Sequence, residues 1–400
     1  MKLLLISDIH LGDKARCESL KPNYSNSVDR DYLKRLEEFQ SKYDVKPDKL
    51  IFPGDMTNTA SASEFREFDR ILEKLLTIFS IDIENCFFTI GNHDSDWQIQ
   101  RLFKDGDVFE DYFDRRYDNI DKSKYLKLIA ERSIRYDGAF DYFVWDDANL
   151  TVLALNSGFP EKFDDAVKAG FIDPSVLEAI ESKYADILSN DQFKILLVHH
   201  HPHLYSNPMV AWKDFSAAQN ADILFEFCEK YRIDTVLHGH RHIPAFKSEL
   251  FESGMQVHTI CCGSFSAKLD YRLQGIASNC IHVLDIEASA PSSTITEGRL
   301  LTWSFIENKG WVKSSFDRDG IEHVISFGQN LHASKIIEQL EEIDLENDQG
   351  FLRLRDFLTP DKEMTKMRWS SLKKIFQEHC DRKGWEMVGD QIEDSVILFR

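Results

Sequence analysis

Five times along this chain a short apolar run stops and the next residues are acids, amides or histidines. Leu3–Ile6 runs into Ser7-Asp8-Ile9-His10, Lys49–Phe52 into Pro53-Gly54-Asp55, and Cys86–Ile90 into Gly91-Asn92-His93-Asp94. Phe193–Val198 runs into His199-His200-His201-Pro202, and Asp234–Leu237 into His238-Gly239-His240-Arg241-His242. Such runs are too short to span a membrane and read as strands buried on both faces. Between them lie stretches at helical spacing. Tyr32, Leu33, Leu36 and Phe39 mark one, and Phe65, Phe68, Ile71, Leu72, Leu75, Leu76 and Phe79 mark another that Ser63 can cap. Alternating strands and helices build an α/β fold, and open α/β sheets carry their ligands just beyond the carboxyl ends of the strands. In backbone still extended there, residues two apart face the same side, so Asp8 and His10 should converge.

The remaining segments are placed around this frame. Residues 95–138, charged and rich in Asp, Arg, Lys and Tyr, read as a helical insertion forming a surface lid over the strand ends. Phe140–Val144 and Leu150–Leu155 read as a hairpin. Pro174 should open a helix capped by Asp173. Strand-like runs at Gln256–Cys261, Cys280–Ile286, Leu300–Ile306 and Trp311–Ser314 would complete a second sheet, closing a first domain at residues 1–328.

Residues 333–400 read as a separate appendage of three helices (around Ile336–Leu340, Phe351–Leu358 and Met367–Cys380) and a terminal hairpin. Nine basic residues against five acids between Gly350 and Lys383 would let a winged helix meet phosphate. The plainer reading is a module for packing, for a protein partner or for self-association.

Charge narrows the partners. A net charge of −20 argues against holding long duplexes on the general surface, because that binding runs on Lys and Arg. Seven cysteines without a repeated Cys-x-x-Cys fit reduced thiols in the cytoplasm. No secretory or lipidation motif and no long apolar run is present, so no membrane partner is expected.

The strand ends together supply Asp8, His10, Asp55, Asn92, one of His199–His201, His240 and His242. All are oxygen or nitrogen donors, which suits Mn, Fe, Zn, Co or Ni and disfavours both a closed structural zinc and an oxygen-only cage. Seven are too many for one ion with an open position and fit two ions sharing a carboxylate.

Asp8-Ile9-His10, Gly54-Asp55, Gly91-Asn92-His93-Asp94, the His-His-Pro segment and Gly239-His240-Arg241-His242, in this order, resemble the five motifs of the calcineurin-like metallophosphoesterases. The resemblance covers about residues 1–327. It implies a four-layer αββα sandwich with two packed sheets, and two divalent ions, manganese favoured. Asp8, His10 and His242 would hold the first ion, Asp55 would bridge, and Asn92, His240 and a histidine of the triplet would hold the second. Counting back from Pro202 selects His200 and counting on from the strand selects His199; His200 is favoured. His93 would face the phosphate and leaving group, with Asp94 orienting its ring or supporting the loop.

The reaction implied is hydrolysis of a phosphoester by hydroxide bridging two metals about 3.5–4 Å apart. The Asn-His-Asp and Gly-His-x-His set resembles the branch containing cyclic-nucleotide and other small-diester phosphodiesterases. The opening Ser-Asp-Ile-His-Leu-Gly also resembles the superfamily's DNA-repair nucleases, so nucleic acid stays as an alternative partner. A non-catalytic protein-binding scaffold is the third reading, disfavoured by the intact ligand set. Arg16 and Asn58 are candidate substrate contacts. His258, His282, His323, His332 and His379 are read as core or surface residues.

Overall fold

The computed structural model describes residues 1–12, 32–96, 99, 115–134, 140–158, 169–203, 216–251, 255–269, 273, 276–287, 296–328, 337, 338, 340–343, 351–353, 369–389 and 397–399. Arg16, His332 and the second appendage helix beyond residue 353 lie outside them. The chain divides into two compact units, one of Met1–Leu284 with Thr302–Ile321, the other of Asp285–Leu301 with Glu322–Arg400.

The first unit opens with β1 (Lys2–Leu5), α1 (Tyr32–Tyr43), β2 (Lys49–Phe52), α2 (Ala62–Phe79) and β3 (Cys86–Phe88). The three strands pair in parallel, Leu4 opposite Leu50 and Leu50 opposite Cys86. Leu3, Leu4, Leu5, Leu50, Ile51 and Phe52 are wholly buried, as continuous apolar runs require in a sheet covered on both faces. The cap of α2 is Ser61 rather than Ser63. Glu64 stands three residues after Ser61, so the pair closes a capping box in which each side chain accepts from the other's backbone amide.

Four helices and six strands follow: α3 (Lys124–Glu131), β4 (Tyr142–Asp147), β5 (Leu150–Leu155), α4 (Pro174–Lys183), α5 (Ala185–Leu188), β6 (Phe193–Leu197), α6 (Ala221–Tyr231), β7 (Thr235–His238), β8 (Pro244–Leu250) and β9 (Gln256–Cys262). The second sheet has the order β4-β5-β6-β7-β9-β8, parallel from β5 to β9 with antiparallel strands at both edges. The strands β10 (Cys280–Ile286), β11 (Gly298–Ile306) and β12 (Gly310–Lys313) extend the first sheet on the far side of β1. Phe88 packs on Phe143 with ring centroids 5.0 Å apart, and Thr89 Oγ1 donates to the Leu155 carbonyl at 2.9 Å, so the two sheets face each other. On the outer faces, α1 sets Tyr32 against Phe305, α2 sets Phe68 against Phe52, and α4 and α6 bury Leu177, Ile180, Leu224 and Phe227 over the second sheet. This is the expected αββα sandwich.

The lid expected at 95–138 is not what its described part forms. Leu126, Ile129 and Ala130 of α3 are buried, the Ile129 carbonyl accepts from Trp145 Nε1 at 3.1 Å, and Asp69 of α2 accepts from Ser123 Oγ and the Lys124 amide. Just beyond α3, Arg132 donates to the carbonyls of Ile83, Glu84 and Cys86, at the end of β3 away from the ligand motifs. An amphipathic helix with its apolar stripe in the core is a structural wedge. Its charged residues merely face water. Residues 97, 98 and 100–114 of this segment lie outside the described set.

In the second unit, α7 being the short Phe316–Asp319 turn of the first, the elements are β13 (Val324–Phe327), β14 (Phe351–Arg353), α8 (Trp369–Lys383), β15 (Glu386–Val388) and β16 (Ile397–Phe399). The first residues of β11 pair with β13, and β14-β16-β15 form an antiparallel sheet. The helix expected from Phe351 is therefore a strand over 351–353. Leu352-Arg353-Leu354-Arg355 alternates with a period of two, the strand period. Arg382 and Lys383, counted toward a basic surface, instead pair with Glu341, at 3.4 and 2.6 Å.

Candidate metal centre

The ligand motifs leave their strands in turns, not in extended backbone. Asp8, His10, Asp55, His240 and His242 all have left-handed φ, between 50° and 69°. A non-glycine residue held there costs about 1–3 kcal/mol and persists where the surroundings over-determine it. Neighbouring turns supply the hold: the Asp8 amide donates to Gly54 O at 3.1 Å and the His10 amide to Asp55 O at 3.0 Å. Asp8 and His10 do converge, but through two successive reversals.

Two donor sets result. In the first, Asp8 Oδ1 lies 3.2 Å from His242 Nε2 and 3.8 Å from His10 Nε2, and the two imidazole nitrogens are 3.1 Å apart. In the second, Asn92 Oδ1 lies 3.1 Å from both His199 Nε2 and His240 Nδ1, which are 3.3 Å from each other. Asp55 Oδ2 stands between the sets, 3.3 Å from His10 Nε2 and 3.2 Å from His199 Nε2. Ligand-capable atoms of Asp8, His10 and His242, and of Asp55, His199 and His240, lie within 4.8 Å of one another. Buried imidazole nitrogens facing each other and two carboxylates fit a cation between them, so the residues suit the implied ions.

The electrostatics agree. Burial would raise the carboxyl of Asp8, but hydrogen bonds to His10 and His242 hold it well below the usual range. Burial of Asp55 is likewise outweighed by the charges of His199, His93 and His10. Burial pushes His199 down and Asp55 pulls it up, to about 10. His10 and His240 are lowered, chiefly by burial. The site is thus poised around two charged carboxylates.

His199, and not the favoured His200, enters the second set. Its Nδ1 is 2.8 Å from the Pro53 carbonyl, to which it donates, leaving Nε2 aimed at Asp55 and Asn92. A backbone partner that fixes the tautomer is the usual support of a metal-binding imidazole. The His200 ring turns the other way, with Nδ1 2.9 Å from Ser157 Oγ. His199→Ala is expected to lower bound metal by one ion per chain while His200→Ala retains both, measured by elemental analysis of the purified proteins. The reverse result would return the assignment to His200.

Asp94 does not orient His93. Its carboxylate accepts from the amides of Gly91, Met56 and Thr57 and from Thr57 Oγ1, stapling the loops of β2 and β3. Burial and then the Asp55 charge raise its pKa to about 6. The His93 ring is instead set by the Asn58 carbonyl, 2.8 Å from Nδ1, while the His93 amide donates to Asp55 Oδ1 at 2.8 Å. The ring lies 4.6 Å from that of His10, is half-buried, and groups with His10 and Asp55.

The glycines before the ligands serve different ends. Gly54 has φ +96°, which favours glycine. Gly91 and Gly239 have no such φ, but a Cβ on either would lie 2.1 Å from Asp55 Oδ1 or 2.3 Å from Asp8 Oδ2. Ser7 carries no motif of its own in the sequence, yet its Oγ donates to Asp8 Oδ2 at 2.6 Å. Its only signal was adjacency. His203 bonds Thr259 and Lys247 instead of joining the cluster, and His258, His282, His323 and His379 are buried.

The family model for calcineurin-like phosphoesterases matches residues 1–244. A probable cyclic nucleotide phosphodiesterase from Xenorhabdus bovienii is 25% identical over 245 residues, 61% of this chain and 79% of the relative. Among solved structures, a dimetal phosphatase from Danio rerio is similar with a TM-score of 0.46 and 12% identity, over 82% of this chain and 98% of that one. A purple acid phosphatase from yellow lupin (Lupinus luteus) seeds has a TM-score of 0.44 and 12% identity. The match covers 78% of this chain and 52% of the lupin chain, about half its length.

Proposed function

The chain belongs to the calcineurin-like phosphoesterases, metal-dependent hydrolases, and from that premise we propose that it uses two divalent ions to hydrolyse small phosphodiesters, cyclic nucleotides foremost. The observation that carries the two-ion reading is the position of Asp55 Oδ2, within 3.3 Å of a histidine from each donor set. Asp8, His10 and His242 would hold one ion, Asn92, His199 and His240 the other, and Asp55 both. Donors that are all oxygen and nitrogen support manganese among the candidates. When bound, such a pair supplies Lewis acidity to phosphoryl oxygens and acidifies water at neutral pH.

The protein's own part is positioning and proton transfer. Two carboxylates in a buried site leave room for net positive charge once the ions are present, so an anionic phosphodiester is drawn in locally despite the charge of −20. His93, its Nδ1 proton given to the Asn58 carbonyl, presents Nε2 as the atom that would carry a proton to the departing oxygen. Asp94 keeps the loop bearing His93 in register with Asp55. Six cysteines among the described residues are free and buried, which supports work in the reducing cytoplasm. No helix among the described residues is long and apolar enough to cross a membrane.

The test is turnover by manganese-loaded protein of bis-p-nitrophenyl phosphate, p-nitrophenyl phosphate, cyclic AMP and labelled single-stranded DNA. Diester and cyclic AMP hydrolysis without DNA cleavage is the expected pattern. Monoester turnover alone would overturn the diester reading. DNA cleavage lost with Asp55→Asn would replace it by a nuclease.

A further inference from the structure

We propose that Ser264 and Ser266 are positioning residues for the first donor set, Asp8, His10 and His242. This rests on the two-ion reading above. The segment Gly263–Ala267 follows β9 of the second sheet and leads toward β10, which pairs beside β1 in the first, so it crosses from one sheet to the other. On the way it takes up three successive carbonyls of the turn that carries Asp8 and His10. The Phe265 amide donates to Ser7 O at 2.7 Å, Ser264 Oγ to Asp8 O at 2.8 Å and Ser266 Oγ to Ile9 O at 2.8 Å.

Ser264 Oγ also accepts the Ala267 amide at 2.9 Å, which leaves its single proton for the Asp8 carbonyl. Both serines are wholly buried. With the opposite edge of the turn donating to Gly54 O and Asp55 O, the Asp8–His10 backbone is gripped from both sides. That grip is what a left-handed conformation at two L-residues needs in order to persist. Removing the hydroxyls leaves the Asp8 and Ile9 carbonyls as buried acceptors without donors, and the turn gains by relaxing. The second set is secured mainly elsewhere, only the His240 amide reaching back to the Asp8 carboxylate. His199 is held through its ring on the Pro53 carbonyl and through its own carbonyl, which accepts the Gly239 amide. The serines therefore act chiefly on the first site of the two.

The experiment titrates the full-length metal-free protein with Mn²⁺ alone, following free Mn²⁺ by electron paramagnetic resonance and heat by calorimetry. Wild type is compared with Ser264→Ala, Ser266→Ala and the double variant. Asp8→Asn marks loss of the first site, His199→Ala loss of the second, and Ser304→Ala removes a buried serine hydroxyl away from the turn. The double variant is expected to bind its first-site ion at least ~10-fold more weakly, in the range seen when groups supporting a ligand are removed. Its second-site affinity should fall by no more than about threefold, and Ser304→Ala should titrate as wild type. Wild-type affinities in the double variant, or equal weakening at both sites, would overturn the proposal. Should the double variant fail to fold by circular dichroism, Ser264→Cys and Ser266→Cys, close in volume with a weak donor, carry the same expectation and the same refutation. Fewer than two ions in wild type would overturn the two-ion reading itself, and is read from wild type alone.

Discussion

Asp55→Asn is expected to lower turnover by ~10²–10³-fold, a loss of about 2.7–4 kcal/mol of transition-state stabilisation at about 1.36 kcal/mol per tenfold in rate. The substitution keeps the shape and removes the charge that faces His10 at 3.3 Å and His199 at 3.2 Å. One oxygen serves both donor sets, so the loss should appear at both. Bound manganese should fall to one ion or fewer per chain, with the melting temperature of the metal-free protein little lowered. Turnover within tenfold of wild type with two ions retained would refute a shared ligand.

His93→Ala should separate chemistry from binding. The ring is half-buried and, although it groups with His10 and Asp55, it belongs to neither of the two sets that Asp55 joins, so manganese content should stay at the wild-type value. A positioned general acid contributes roughly 10²–10⁴-fold, and the loss should be of that order for a poor leaving group such as the ribose hydroxyl of cyclic AMP. With p-nitrophenolate, which departs without help, the loss should be small. Equal losses with both substrates would assign His93 to holding the phosphoryl group or the loop. Loss of metal would make it a ligand.

Much of this centre could be read from the chain because buried parallel strands announce themselves as apolar runs and their ends collect the donors. What could not be read lies in the turns. Left-handed backbone at Asp8, His10, Asp55, His240 and His242 depends on hydrogen bonds to segments distant in sequence, such as Gly54 and Ser264, which carry no local signal. The choice between His199 and His200 turned on one backbone carbonyl, that of Pro53, 146 residues away. Adjacency suggested that Asp94 would serve His93, yet a three-residue 3₁₀ turn points its carboxylate back at the amides of Gly91 and Thr57. Charge patterning alone points to a surface lid at α3, where the buried stripe decides the packing, and the Leu-Arg alternation in the appendage carries the strand period over Phe351–Arg353.

The two sheets contribute to the same centre from opposite ends of the first unit's chain, and this has a consequence for the order of assembly. The His240 amide closes on Asp8 across 232 residues, and His10 meets His242 across the same separation. Contacts so remote in sequence are expected to form late in folding, because the loop entropy between them must be overcome first. During synthesis, Asp8, His10, Asp55 and Asn92 all emerge before either sphere has its last histidine. A nascent chain therefore holds neither complete sphere until residue 240 is out, so ions should stabilise the finished fold by mass action instead of seeding it. Refolding rates should then be nearly independent of Mn²⁺ concentration, while unfolding slows as the metal is raised.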